Sequence, residues 1–240
     1  MHQMPPSRRN VFAWFTGAAA FGGGAGWLRT RTQTYHDGPV SDHFDGVRFR
    51  DPLGAPPKGD IDMLRWLASG RGEKWPEWAP SPHADPTRVA GTTIRIGFIG
   101  HASLLIQSGG VNLLCDPVWS ERASPVGFAG PKRVVDALPP IDAVLVSHGH
   151  YDHLDVATLS RLAATHRPRV ITPLGNDAVM RAHDPAIAAE GFDWHERVVL
   201  APDLAVTPVP LRHWSARGLF DRNKTLWAGF VVETPAASIT

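Results

Sequence analysis

The sequence has little cysteine and no excess of either charge. The first feature argues against a disulfide-stabilised protein, and the second argues against a nucleic-acid-binding protein. Its 240 residues contain one cysteine, Cys115, so an intramolecular disulfide framework is excluded. Its 24 basic residues are balanced by 23 acidic ones, which leaves a formal net charge of +1 at pH 7. The sequence shows no basic stripe, so nucleic acid is not an expected partner. The length is sufficient for one substantial core.

Residues 1–30 differ from the rest of the chain because they are not typical of a folded domain. After Arg8 and Arg9 the chain carries no charge from residue 10 to residue 28, and its glycines keep this run only weakly apolar. Such a pattern is typical of an export signal, and the arginine pair resembles a twin-arginine signal. We therefore expect a signal-like or membrane-anchor segment in a membrane-associated or exported protein. A tail without packed structure and a cytoplasmic location stay open.

The remaining chain divides into a lead-in and one larger unit. Residues 31–91 are rich in turn formers and predict an extended N-terminal lead-in, with a short helix in IDMLRWLASG. Residues 92–240 contain short apolar runs typical of strands, among them TTIRIGFIG, ASLLIQS, VNLLCDP, AVLVS, RVITP, RVVLA, LAVTPVPL and LWAGFVVET. Helices are predicted over 155–166, with Asp155 as N-cap, and over 176–189. This order predicts an α/β fold with helices packed outside sheets.

The strongest chemical signal is the pattern H-x-H-x-D-H, formed by His148, His150, Asp152 and His153 directly after the apolar run AVLV. Alternate residues that continue a strand point to one side, so the first two histidines can share one metal ion. Imidazole and carboxylate groups are ligands that suit zinc. The alternative is a set of surface or helix-capping histidines, but so dense a cluster favours a metal site.

This pattern resembles the signature of the metallo-β-lactamase fold, whose members place a dinuclear metal site at one edge of an αββα sandwich. Four further stretches resemble N-acyl-phosphatidylethanolamine-hydrolysing phospholipase D and its bacterial relatives: IGHASLLI, CDPVWSERASPVGFAGPKR, LPPIDAVLVSHGHYDHLD and RHWSARGLFDRNKTLWAGF. The likeness extends over roughly residues 36 to 234, in the same order. It implies an αββα sandwich and a zinc-dependent phosphodiesterase.

The resemblance also implies roles for individual residues. It assigns His148, His150 and His213 to a first metal, and Asp152 and His153 to a second. Taken alone, His213 is also compatible with an ordinary loop histidine.

Asp116 matches an early aspartate of the family that holds neighbouring loops and ligands by hydrogen bonds. Its alternative role is to begin a turn before Pro117. His101 lies in another family-like stretch, near the expected mouth of the site, and both a chemical and a structural role stay open for it.

The implied reaction is metal-assisted hydrolysis of a phosphodiester. A water shared by two zinc ions would attack phosphorus, and Asp152 would serve as the catalytic group that accepts its proton. The products from an N-acylated phospholipid would be phosphatidic acid and an N-acylethanolamine. The expected partner is therefore a phospholipid or another small-molecule substrate, with membrane association through residues 1–30.

The sequence departs from the family pattern at the second metal. An intact member needs a bridging aspartate and a last histidine, but this chain has no histidine after His213, and its only later aspartate, Asp221, matches a loop without ligands. We therefore expect a domain truncated in its C-terminal half, with residues 92–240 forming the N-terminal half. One zinc or fewer is expected, and impaired two-metal chemistry. The alternatives are a lactonase or other small-molecule ester or phosphoester hydrolase, and a non-catalytic metal-binding remnant.

Overall fold

The computed structural model describes residues 34–52, 54, 65, 69, 87–120, 138–218 and 220–240. The signal-like segment and most of the short helix expected after residue 60 lie outside these residues. Within the described residues, helices are too short or too polar to cross a membrane.

Six strands form the first sheet, in the same order in space as along the chain. They are β1 (Ile94–Gly100), β2 (Ser103–Ser108), β3 (Val111–Cys115), β4 (Ala143–Leu145), β5 (Arg169–Pro173) and β6 (Ala189–Phe192). Strand β2 is antiparallel to its neighbours β1 and β3, and β3 to β6 are parallel to one another. The dipeptide Gly109-Gly110 between two strand-like runs predicts a hairpin turn, and this prediction is confirmed, since both glycines have positive φ and join β2 to β3. Strands β1, β3 and β4 consequently end at the same edge of the sheet.

Two helices cover one face of this sheet: α1 (Val156–Thr165) and α2 (Asn176–His183). Leu159 and Leu162 of α1 share an apolar core with Val144 and Val170 of the sheet. A run of apolar side chains at helical spacing explains this packing, because it presents one stripe to the sheet. The first helix begins after Asp155, whose side chain accepts a hydrogen bond from the Thr158 N–H, as the predicted N-cap requires.

The predicted extent of the second helix is wrong. We expected it to reach residue 189, but it ends at His183, and Ala189–Phe192 form strand β6 beside β5. Asp184 has an extended backbone, with φ −148° and ψ 109°. It precedes Pro185, and the proline ring disfavours the helical conformation in the residue before it.

Four antiparallel strands form the second sheet: β7 (Val198–Ala201), β8 (Leu204–Val209), β9 (Gly229–Glu233) and β10 (Ser238–Ile239), in the order β10-β9-β8-β7. Its inner face packs on the first sheet, where Val206 and Val232 meet Leu113, Leu145 and Ile171. The described residues thus form a helix layer and two facing sheets. The predicted α/β class and sandwich of sheets are confirmed, and the truncation stays a prediction.

Part of the lead-in packs into this domain. Phe44 and Phe49 pair across an isolated β-bridge and are buried against Leu226 and Trp227. The N–H of Phe49 donates to the carbonyl oxygen of Asn223 at 2.7 Å. The segment 34–52 therefore supports the loop that lies before β9.

Candidate metal centre

The predicted site residues meet at the edge where β1, β3 and β4 end. Asp116 directly follows β3, and the loop after β4 contains the whole histidine pattern, residues 148–153. His101 lies in the tight turn between β1 and β2, and His213 follows β8 of the second sheet. The carboxyl ends of parallel strands meet at one sheet edge, which is why distant positions in the sequence come together here.

Three imidazoles converge at this edge. His148 Nε2 lies 2.7 Å from His150 Nδ1 and 3.0 Å from His213 Nε2. The three nitrogens all lie within 4.8 Å of one another. The structure thus brings together the three histidines that the resemblance assigns to the first metal.

Burial keeps these imidazoles neutral. It lowers the pKa of His148 to about 2 and that of His150 to about 4, and repulsion between the neighbouring histidines adds to both shifts. The pKa of His213 is lowered for the same two reasons, although a nearby carboxylate opposes the shift. Neutral imidazole is the form that binds metal ions, so the cluster is prepared for a cation at neutral pH.

The donor set fits a metal ion better than it fits hydrogen bonds alone. An imidazole nitrogen has either one N–H or one lone pair, so His148 Nε2 can make only one good hydrogen bond. Two nitrogens nevertheless lie within 3.0 Å of it. A cation would satisfy all three lone pairs together, and zinc–nitrogen bonds of about 2.0–2.1 Å require spacings only slightly wider than these.

A carboxylate and a hydroxyl orient two of the histidines. Asp116 accepts hydrogen bonds from His153 Nδ1 at 2.8 Å, from the Ser147 N–H at 2.7 Å and from Ser147 Oγ at 2.7 Å. Because Ser147 Oγ donates to Asp116, it accepts from His148 Nδ1, which lies at 2.9 Å. In both His148 and His153 the proton therefore lies on Nδ1. The Nε2 atoms of these two histidines keep their lone pairs for a cation. This is the geometry that the predicted orienting role of Asp116 requires.

A second group of possible ligands lies beside the first: His101, Asp152 and His153, whose ligand atoms also lie within 4.8 Å of one another. His101 Nε2 is 3.2 Å from Asp152 Oδ2, and His153 Nε2 is 3.8 Å from the same oxygen. The rings of His148 and His153 are 4.2 Å apart between centroids, so the two groups are neighbours. The sequence placed Asp152 and His153 together but left the role of His101 open.

The loop that carries His213 is fastened to the loop that carries His148 and His150. The guanidinium of Arg217 donates to the carbonyl oxygens of Gly149 at 3.0 Å and Leu154 at 2.8 Å. Arg217 also lies over the ring of Tyr151, 4.1 Å from its centroid. Sequence reasoning missed this arginine, since a single arginine in a loop carries no signal of its own. These hydrogen bonds hold His213 next to His148 and His150.

An aromatic side chain borders the cluster on the His213 side. Trp214 meets His150 edge to face, with 4.3 Å between ring centroids, and the Arg222 guanidinium lies 4.5 Å from the Trp214 centroid. The Nε2 atom of His150 is buried and has no hydrogen-bond partner among the described residues. Trp214 therefore shields one side of the cluster, while the side chains of His101 and Asp152 stay partly exposed.

Comparisons with known proteins show what this chain is similar to. The family model described as "Beta-lactamase superfamily domain" matches residues 111–240. An uncharacterized protein of Mycobacterium tuberculosis is 36% identical over 185 residues, which are 73% of this chain and 49% of that protein. The N-acyl-phosphatidylethanolamine-hydrolyzing phospholipase D 1 of Caenorhabditis elegans is 36% identical over 152 residues, which are 56% of this chain and 42% of that protein. The chain thus spans about half the length of the curated relatives it matches.

Among solved structures, the novel metallo hydrolase Igni18 from the archaeon Ignicoccus hospitalis aligns with 61% of this chain and 58% of its own. Its TM-score is 0.45 and its sequence identity is 16%.

Proposed function

The chain belongs to the beta-lactamase superfamily, and from this membership we propose that it is a zinc-dependent hydrolase. One observation carries the proposal: the nitrogens of His148, His150 and His213 converge within 4.8 Å. Three protein ligands with one position left for water are typical of catalytic zinc sites. A purely structural site would instead enclose the ion with a fourth protein ligand.

The surrounding residues have distinct proposed roles. When bound, zinc supplies a water of lowered pKa and neutralises negative charge on the substrate. His148, His150 and His213 hold the ion through neutral nitrogens, and Asp116 fixes the ring of His153. Asp152 lies at the partly exposed side of the site, where its carboxylate accepts the proton of the attacking water.

We propose a phosphodiester as the substrate, of the N-acylphosphatidylethanolamine type. The name of the C. elegans relative supports this class, and that relative is 36% identical over the matched region. A lipid substrate also agrees with the expectation that residues 1–30 associate with a membrane through their weakly apolar run. Cleavage would add water across the bond between phosphorus and the ethanolamine oxygen, leaving phosphatidic acid and an N-acylethanolamine.

The test uses the 240-residue chain loaded with zinc. It is incubated with N-acylphosphatidylethanolamine in mixed micelles, with bis(p-nitrophenyl) phosphate and with a small lactone. We expect hydrolysis of both phosphodiesters, loss of the activity with a chelator and its return with zinc. His150→Ala should lower the rate about 100-fold or more, because even partners outside the ligand shell are worth 10- to 100-fold.

The control is His195→Ala, which removes an exposed histidine in the turn between β6 and β7. If only the lactone is hydrolysed, the proposed phosphodiesterase activity is wrong and the lactonase alternative is supported. If the three histidines bind zinc but no substrate is hydrolysed, the result supports the alternative of a non-catalytic metal-binding protein. Failure to bind zinc at all would overturn the proposal.

A further inference from the structure

We propose that residues 34–52 position the metal ligand His213, acting through Asn223 and Trp227. This inference rests on the proposed function, because His213 is one of the three histidines assigned to zinc. His213 is exposed, and the described residues between β8 and β9 form neither helix nor strand. Its place beside the other two histidines is therefore set by contacts from other parts of the chain.

The first support fixes the chain two residues after His213. The N–H of Asn223 donates to the carbonyl oxygen of Ser215 at 2.6 Å, and the side-chain oxygen of Asn223 accepts from the Ser215 N–H at 3.3 Å. Asn223 has a positive φ of 58°, a conformation that asparagine adopts more readily than most residues. Asn223 therefore holds the backbone that follows the ligand through two hydrogen bonds.

The second support fixes the chain two residues before His213. The indole N–H of Trp227 donates a hydrogen bond of 2.8 Å to the carbonyl oxygen of Leu211. Only 1% of the surface of Trp227 is exposed, so its ring cannot move without a change in the residues packed around it. Hydrogen bonds at Leu211 and Ser215 therefore hold the backbone on both sides of the ligand.

Both supports depend on the lead-in. Phe44 and Phe49 belong to the same buried apolar cluster as Trp227. The N–H of Phe49 donates to the carbonyl oxygen of Asn223 at 2.7 Å. Two phenylalanines that are adjacent across one β-bridge thus contact the two residues that hold the chain around His213.

Arg48 attaches the lead-in to the same loop. Its guanidinium donates to the carbonyl oxygen of Arg222 and, at 3.2 Å, to that of Phe220. Arg222 directly precedes Asn223 in the chain. Because a planar guanidinium carries several N–H donors, one side chain holds two backbone positions of the loop. Replacement of Arg48 should therefore loosen the support without removing an apolar core residue.

The experiment measures zinc affinity in variants of these supports. Zinc is titrated into the metal-free 240-residue chain in competition with a chromophoric chelator, for the wild type, Arg48→Met and Asn223→Gly. Glycine tolerates the positive φ of residue 223 but lacks the side-chain oxygen. We expect the zinc dissociation constant to rise at least about tenfold in each variant, as for other residues that orient metal ligands. Asn223→Asp keeps an oxygen acceptor and should restore most of the affinity.

A second background tests whether the effect passes through His213. In His213→Ala zinc can bind only the other two histidines, so adding Arg48→Met should not weaken the remaining affinity, which calorimetry measures. A loss of equal size in both backgrounds would indicate a general loss of stability and would overturn the inference. Arg50→Met is the matched control, because Arg50 donates to the carbonyl oxygen of Asp42 within the lead-in at 3.0 Å. It should leave zinc affinity unchanged.

Amide hydrogen exchange of the metal-free chain tests the same supports without zinc. In Arg48→Met the Asn223 N–H should exchange at least about tenfold faster, since two hydrogen bonds of the loop are lost. The Leu159 N–H, bonded within α1 to the carbonyl oxygen of Asp155, is the reference and should be unchanged. Unchanged exchange at Asn223 would overturn the inference, including in a chain that binds no zinc. A wild type that binds zinc but hydrolyses no substrate would contradict the proposed activity alone, and the affinities would still decide the inference.

Discussion

The backbone N–H of Gly149 donates a hydrogen bond of 3.0 Å to Ser215 Oγ. This contact joins the loop of His148 and His150 to the loop of His213, and it leaves no room for a larger residue. A Cβ atom at position 149 would lie 2.7 Å from Ser215 Oγ and 3.1 Å from Thr225 Oγ1. The glycine between the first two histidines is therefore required by packing as well as by spacing.

Gly149→Ala should separate the two loops. The methyl group must displace Ser215, so we expect a loss of about 1–3 kcal/mol in the free energy of unfolding. Zinc affinity should fall at least about tenfold, because the orientation of ligands depends on such partners. Urea unfolding and zinc titration measure both effects. Gly97→Ala is the control, since its Cβ would meet only Leu105 at 3.9 Å. Unchanged zinc affinity in Gly149→Ala would contradict the proposed coupling of the loops.

Arg217 should act as a positioning residue for the metal ligands. Arg217→Lys keeps the charge but cannot reach the carbonyl oxygens of Gly149 and Leu154 with the same planar group. We expect zinc affinity to fall about tenfold or more with little change in helix content, as measured by zinc titration and circular dichroism. Arg161→Lys, on the exposed face of α1, is the matched control. Equal zinc affinities for the two variants would refute the positioning role.

Asp116 should control the protonation of His153. Burial lowers the pKa of His153, but the hydrogen bond and charge of Asp116, with the charge of Asp152, outweigh it and raise the pKa above its ordinary value. Asp116→Asn should therefore lower this pKa, which NMR titration of the metal-free protein measures. Asp203→Asn, in the exposed turn between β7 and β8, should leave it unchanged. A raised pKa that persists in Asp116→Asn would show that Asp152 alone is responsible.

The sequence predicted elements where one local pattern decides the structure. The strands β1 to β3, the hairpin glycines and the helix that begins after Asp155 depend on alternation, turn residues and capping, which act over a few residues. The end of α2 was missed because one residue before a proline outweighed the helical pattern that continues to residue 189.

The candidate site shows the same limit. His148, His150, Asp152 and His153 share one short motif, so the sequence placed them together. The resemblance placed His101 near the mouth of the site but left its role open. Arg217 enters the site only because separate loops meet at one sheet edge, and no local pattern records that meeting. Asp155 was predicted as an N-cap, but its further contacts with a distant loop could not be read from the helix alone.

Those further contacts predict a large effect of Asp155 on stability. Its buried carboxylate accepts hydrogen bonds from the N–H groups of Trp119 and Ser120 and from Thr158 Oγ1, in addition to capping α1. Asp155→Ala would leave several donors buried without an acceptor, and we expect a loss of roughly 3 kcal/mol or more. Urea unfolding measures it. Thr165→Ala, near the exposed end of the same helix, is the control. A loss below about 1 kcal/mol would show that these donors find other acceptors.

Acid should destabilise the metal-free protein through the histidine cluster. Burial, followed by repulsion between histidines, lowers the pKa of His150 to about 4 and that of His148 to about 2. Between pH 6.5 and pH 4 the unfolded chain binds protons that the folded cluster does not, so the free energy of unfolding falls as the pH falls. Each such group contributes at most about 1.4 kcal/mol per pH unit. The raised pKa of His153 has the opposite sign, but its contribution is fully present below pH 6.5 and decreases only at higher pH.

Comparison of the wild type with His150→Gln isolates this effect from the titration of carboxylates, which both proteins share. The variant lacks one proton-binding group in the unfolded state, so its free energy of unfolding should fall less steeply from pH 6.5 to pH 4.5. Urea unfolding of both metal-free proteins at several pH values in this range measures the two slopes. Parallel slopes would show that His150 binds a proton as readily in the folded protein as in the unfolded chain. Burial would then not be the reason why His150 is neutral, as the proposed metal site requires.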